Sequence, residues 1–225
     1  MPDAEGKIFP IQRETVVDQL VRNIEKEIFS GKRPQKSKIS EIGIAAEFGV
    51  SRVPAREALQ RLEKMNLVRK TRSGREVAQF SRDEFKHIYE LKNVVEAFGA
   101  MKGALHARSE DIRHIEKIIA RMAEAIDRGD TDHLLRLNHA FHDAMVFCCA
   151  NPKVIETFSS LAQQVRWAVP ISLRVGGRPV MGYREHVEIF DAFRKKEAEK
   201  VRLLLEKHSN CNMTRILEEM ERKKQ

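Results

Sequence analysis

The sequence predicts a mainly α fold in two parts, an N-terminal winged helix-turn-helix followed by a C-terminal all-helical bundle. Three observations predict it. Residues 40 to 62, SEIGIAAEFGVSRVPAREALQRL, set a short alanine-bearing helix, a glycine turn and a second helix in close succession. The stretch LVRKTRSGREVAQF that follows reads as two short strands around a turn at Ser73-Gly74. From Ser81 onward apolar residues recur at helical spacing with few breakers. A chain of 225 residues has room for two separate cores, and the change of pattern sets the domains at 1–80 and 81–225.

The first helix is expected from about Gln12 to Ser30, with Val16, Val17, Leu20, Ile24 and Ile28 as its apolar stripe and Gly31 closing it. Ile39, Ile42, Ala45 and Ala46 open the second, with Phe48 near its end and Gly49 in the turn. Ser51 has the chemistry of an N-cap whose hydroxyl accepts from an orphan amide. Pro54 is tolerated in the first turn, where its missing N–H has no partner to lose. The third helix therefore starts at Arg52 and buries Ala55, Ala58, Leu59 and Leu62, which leaves Arg52 and Arg56 on its flank, one turn apart.

In the second part Ser81 caps a long helix with Glu84 three residues on, and Phe85, Ile88, Tyr89, Val94, Val95, Phe98, Met101 and Leu105 read as its apolar face. Further helices are expected at about 109–128, stopped by Gly129, and at 131–149, 152–168, 183–195 and 197–222, with 170–182 as the one loop-like stretch.

The formal charge of +8 favours a polyanionic partner, and its distribution is uneven. Residues 1–80 carry 16 basic and 11 acidic side chains, and residues 81–225 carry 25 and 22. Cys148, Cys149 and Cys211 show no CxxC spacing and read as reduced core residues. No segment approaches the roughly 18 to 20 apolar residues of a membrane span, and MPDAEGKIFP lacks an apolar leader core, so a cytoplasmic protein is expected. A capped helix that opens with long cations fits a major groove roughly 12 Å wide, which makes duplex DNA the expected partner. Arg69, Lys70, Arg72 and Arg75 make the expected wing basic and within reach of phosphate.

The segment from Gly31 through FGVSRVPAREALQRLEKMNLV to Gly74 resembles the N-terminal domain of the GntR family of bacterial transcription regulators. The remainder is similar to the FCD domain of its FadR subfamily at LKNVVEAFGA, at NHAFHDAM followed by NPKV, at REHVEIFDAF and at KHSN. The resemblance implies that Arg52 and Arg56 contact DNA, that Ser51 meets a phosphate and that Gly74 touches the minor groove from the wing tip. Two departures stand out. Ile42 occupies a place where many members carry arginine, and Met65-Asn66 replaces the usual Glu-Gly before the wing.

Asn138 and His142 share a helix face, and His186 and His208 fall on two further helices. Three imidazoles and one oxygen can hold a divalent transition metal, zinc or nickel by preference, and leave positions open for a ligand. The resemblance implies this ligand set, with neutral Asn138 where other members have aspartate. Lys92 stands where many FCD domains carry arginine, offering a point charge in place of a bidentate fork. It is the expected contact for a small organic acid, with Arg166 and Arg174, which flank the loop-like stretch, as weaker candidates. His87, His106, His114, His133 and His139 read as surface or helix-lining residues. The expected protein is a homodimeric, effector-responsive repressor on a pseudo-palindromic operator. The alternatives are a DNA binder whose helical half only dimerises and a metal-dependent hydrolase. The hydrolase lacks HExxH, GxSxG and any phosphate-cradling glycine loop.

Overall fold

The computed structural model describes residues 15–79, 81–169 and 178–222. It divides into two compact units, Met1–Ala78 and Gln79–Gln225.

The first unit opens with α1, Val16–Ser30, capped by a reciprocal Thr15–Asp18 box and closed by left-handed Gly31. Gln12 lies outside the described residues, and Val16 is 49% exposed, so the stripe begins at Val17. Ile39 is a correction. It belongs to a two-residue strand, β1 (Lys38–Ile39), and α2 spans Glu41–Phe48 behind the N-cap Ser40. Gly49 at φ 65° ends α2, a conformation in which glycine avoids the Cβ clash. Helix α3, Arg52–Lys64, buries Ala55, Ala58, Leu59 and Leu62, the four residues its spacing predicts. Strands β2 (Val68–Thr71) and β3 (Gly74–Val77) form the wing, and β1 pairs with β3 to give an antiparallel sheet in the order β1-β3-β2. Two residues are too short to register as a strand in the sequence.

Every regular element among the described residues of the second unit is a helix. Helix α4, Arg82–His106, starts at the predicted Ser81–Glu84 box. It is followed by α5 (Ser109–Asp127), α6 (Thr131–Phe147) and α7 (Pro152–Val165), which runs into a single 3-10 turn, Arg166–Ala168. Helices α8 (Arg178–Arg194) and α9 (Ala198–Arg222) complete the bundle. Residues 178–182 are therefore helical, not loop, while Arg174 lies outside the described residues. Helix α4 packs on α6, α7 and α9. Its inner face differs from the predicted one. Phe85 and Tyr89 are buried as expected, but the rest of that face is Lys92, Asn93, Glu96, Ala97, Gly99, Ala100, Gly103 and Ala104, while Val94, Phe98 and Leu105 point outward. Gly103 marks the closest approach, because a Cβ there would sit 2.2 Å from the Met145 carbonyl of α6. Among the described residues no helix is long and apolar enough to cross a membrane.

Candidate nucleic-acid interface and histidine site

Each unit carries one candidate site. In the first, Ser51, Arg52 and Arg56 are all exposed at the start of α3. Ser51 has extended N-cap backbone, but its hydroxyl caps no amide, contrary to expectation. Arg52 and Gly74 line one shallow depression of about 240 Å³ with Ser40, Ile42 and Arg75, which brings the helix start and the wing tip onto a common surface. Gly74 holds φ 127°, accessible essentially to glycine alone, and Arg72 is exposed beside it. Ile42, 63% exposed, presents an apolar surface on that side.

Arg75, one of the expected DNA contacts, is paired within the unit. Its Nε donates to Glu63 of α3 at 2.5 Å and its Nη1 to Glu41 of α2 at 2.9 Å, with only 17% of the side chain exposed. The Glu63 hydrogen bond, with Glu41 behind it, outweighs burial and raises the guanidinium pKa. Arg75 thus braces the wing against both helices. Lys70 stays 71% exposed, with Glu63 at 3.6 Å as a loose partner.

In the second unit α6, α8 and α9 bring His142, His186 and His208 together, each less than a tenth exposed, with ligand nitrogens all within 4.8 Å of one another. Two carboxylates stand behind them. Glu185 Oε2 lies 2.6 Å from Nδ1 of His208, and Glu96 Oε1 lies 2.6 Å from Nδ1 of His142, although the second approach misses good hydrogen-bond geometry. Nε2 of His208 meets the Asn212 amide at 3.0 Å. Asn138, one turn before His142, lines the adjoining cavity of about 40 Å³ with Tyr89, Lys92, Asp143, Arg166 and Ser209.

The two predicted anion contacts are both in that wall, and both are paired. Nζ of Lys92 donates to Glu96 at 2.5 Å, with Ser209 Oγ on the same carboxylate oxygen at 3.2 Å, and Arg166 donates to Asp143 at 2.9 Å. Burial alone would raise the Glu96 carboxyl, but Lys92 and then His142 reverse that and hold it well below the carboxylate range. For Asp143 burial prevails over Arg166 and the pKa is raised. His139, in the same wall, is pushed down to about 3, first by burial and then by Arg166. Sequence reasoning missed Glu96, Glu185 and Asp143. Glu96 was open to recognition as the i+4 partner of Lys92, whereas Glu185 and Asp143 take their partners from other elements.

A sequence model described as the FCD domain matches residues 87–210, and one described as bacterial regulatory proteins, gntR family, matches residues 16–77. The chain belongs to the GntR family, with an FCD domain as its second half. It is a DNA-binding transcription regulator and not an enzyme. Among its relatives, the uncharacterized HTH-type transcriptional regulator YdhC of Bacillus subtilis is 28% identical over 206 residues, 89% of this chain and 92% of the relative. The gluconate operon transcriptional repressor of Bacillus licheniformis is 25% identical over 177 residues, 77% of this chain and 73% of the relative. Of solved structures, E. coli McbR/YncC aligns with a TM-score of 0.76 at 16% identity, covering 90% of this chain and 97% of its own. A GntR regulator from Rhodococcus sp. RHA1 aligns at 0.72 and 21% identity, covering 89% and 97%. At these identities the structural likeness concerns the fold alone.

Proposed function

We propose that this regulator is a homodimeric, effector-responsive repressor of the FadR subfamily, acting in the cytoplasm. Residues 1–80 bind a short pseudo-palindromic operator through Ser51, Arg52, Arg56, Arg72 and Gly74. Residues 81–225 dimerise, bind a divalent transition metal, zinc or nickel, and sense a small organic acid. The observation that carries the sensing part is the convergence of His142, His186 and His208 from three helices within 4.8 Å.

The residues fit such an ion. The donors are borderline nitrogen ligands, the site is buried, and carboxylates against Nδ1 of two rings are the outer partners that fix imidazole tautomer and orientation in metal sites. A divalent ion there supplies positive charge and open coordination positions for a carboxylate. Lys92 and Arg166, each matched by an acid, contribute orientation more than net charge. Several relatives are operon repressors, and gluconate, in whose operon two of them act, is a sugar acid, which supports both the sign of regulation and the effector class. Effector binding changes the relative placement of the two DNA-binding units of the dimer and so the operator affinity.

Metal analysis of the purified chain is the test. One divalent ion per chain is expected, lost in the His142→Ala/His186→Ala/His208→Ala variant; wild-type metal content in that variant overturns the site. Titration of carboxylic acids into the protein–operator complex, with and without a chelator, reads the sensing step, and operator affinity indifferent to both leaves only the reading in which the helical half dimerises.

A further inference from the structure

Among the described residues of the first unit, the exposed large apolar side chains are Val16, Ile42 and Val53. Val53 differs from the other two in its place, the second position of α3, directly after Arg52. It is 53% exposed. At about 100° per residue, Leu62 lies half a turn around the helix from Val53, and Ala55, Ala58 and Leu59 fall within about 60° of Leu62. Val53 therefore heads the face of α3 that turns most directly away from the core. Gln60 lies almost in line with it, Arg56 about 60° to one side and Glu57 about 40° to the other, and all three are exposed.

A valine in that place contributes little to folding. Half its surface stays in water, and a β-branched side chain on an exposed helix position is a poorer helix former than alanine. Its neighbours are residue types that read base edges, since arginine matches guanine, glutamine matches adenine and glutamate accepts from the cytosine amine. Valine carries neither donor nor acceptor. Pressed against the polar edge of a guanine, adenine or cytosine, it would strip that edge of water and return no hydrogen bond. The 5-methyl of thymine is the apolar group that a major groove displays.

We infer that Val53 is a specificity residue of this regulator, packing its isopropyl group on the 5-methyl of a thymine in the operator. The inference rests on the proposed entry of α3 into the major groove and adds a base identity to it. Arg52, one residue before, and Arg56, three after, hold the same stretch of helix to the duplex. The thymine therefore falls within about a base-pair step or two of their contacts.

The test is a uracil scan of a duplex that the full chain selects from random sequence, read by fluorescence anisotropy at fixed salt. Uracil pairs as thymine does and lacks only the methyl. Replacing the contacted thymine is expected to weaken wild-type binding about fourfold, the worth of one buried methyl group. Val53→Ala should bind the thymine duplex more weakly by a similar factor and be indifferent to uracil at that position, so that the two losses do not add. Val53→Ser is expected to repeat this, with circular dichroism reading the fold of each variant. Wild-type binding indifferent to uracil at every position overturns the contact, and so does an undiminished uracil loss in the folded variants; either leaves the docking of α3 standing. Full affinity in the Arg52→Ala/Arg56→Ala variant overturns the docking itself.

Discussion

At the scale of single residues, the proposed DNA contacts rest on exposure combined with the local backbone. Arg52 and Arg56 leave the first two turns of a helix whose other side is fully buried, so their substitution should touch recognition and spare folding. Arg52→Ala is expected to weaken operator binding by about 1–3 kcal/mol if it reads a base, and less if it meets only phosphate, measured by fluorescence anisotropy at fixed salt. Arg75→Ala should behave differently. Removing it frees Glu41 and Glu63 and loosens the wing, lowering the stability of the first unit by about 1–3 kcal/mol; an unchanged melting temperature contradicts the brace. Asn66 explains one departure from the family pattern. It sits at φ 55°, and asparagine is the residue besides glycine that most readily accepts that left-handed region. Asn66→Gly should therefore raise stability slightly or leave it unchanged, while Asn66→Val should cost about 1–2 kcal/mol, read from thermal melts.

At the scale of elements, legibility followed periodicity and capping. Helix α3 and the α4 start were readable because cap chemistry and a one-sided stripe agree. Strand β1 was not, since two residues carry no period and its place is set by pairing with β3. The outer row of α4 was misassigned for a physical reason. Where Lys92 and Glu96 are buried by pairing with each other, Asn93 by its bond to Asn210 of α9, and small residues fill the rest, hydrophobicity no longer marks the inside. The grouping of the three histidines was legible from the family pattern, and the carboxylates behind the rings were not, because their partners come from distant segments. Gly103→Ala tests the element packing. Its Cβ would collide with a backbone carbonyl of α6, so a loss of about 1–3 kcal/mol in the helical unit is expected by chemical denaturation, and wild-type stability contradicts the close approach.

At the scale of the whole molecule, a readable winged unit is joined to a helical unit whose centre is an ionic and imidazole cluster. That centre makes stability depend on pH. Glu96 has a folded pKa below its ordinary 4.5, so its contribution is present above that value and is lost as pH falls through and beneath it. Glu96→Gln leaves Lys92 buried without its acid and should cost roughly 3–5 kcal/mol near neutrality. The gap to wild type should narrow below pH 4.5 in denaturant titrations of the helical unit. A gap independent of pH contradicts an ionised Glu96. The regulator as a whole stands or falls on its recognition helix. Fluorescence anisotropy on a duplex that the wild-type protein selects from its own genome, comparing wild type with the folded Arg52→Ala/Arg56→Ala variant, tests this most directly. Tight, salt-sensitive binding by the wild type and loss of most of that affinity in the variant is the predicted result. Equal affinity of the two proteins at equal salt would contradict it.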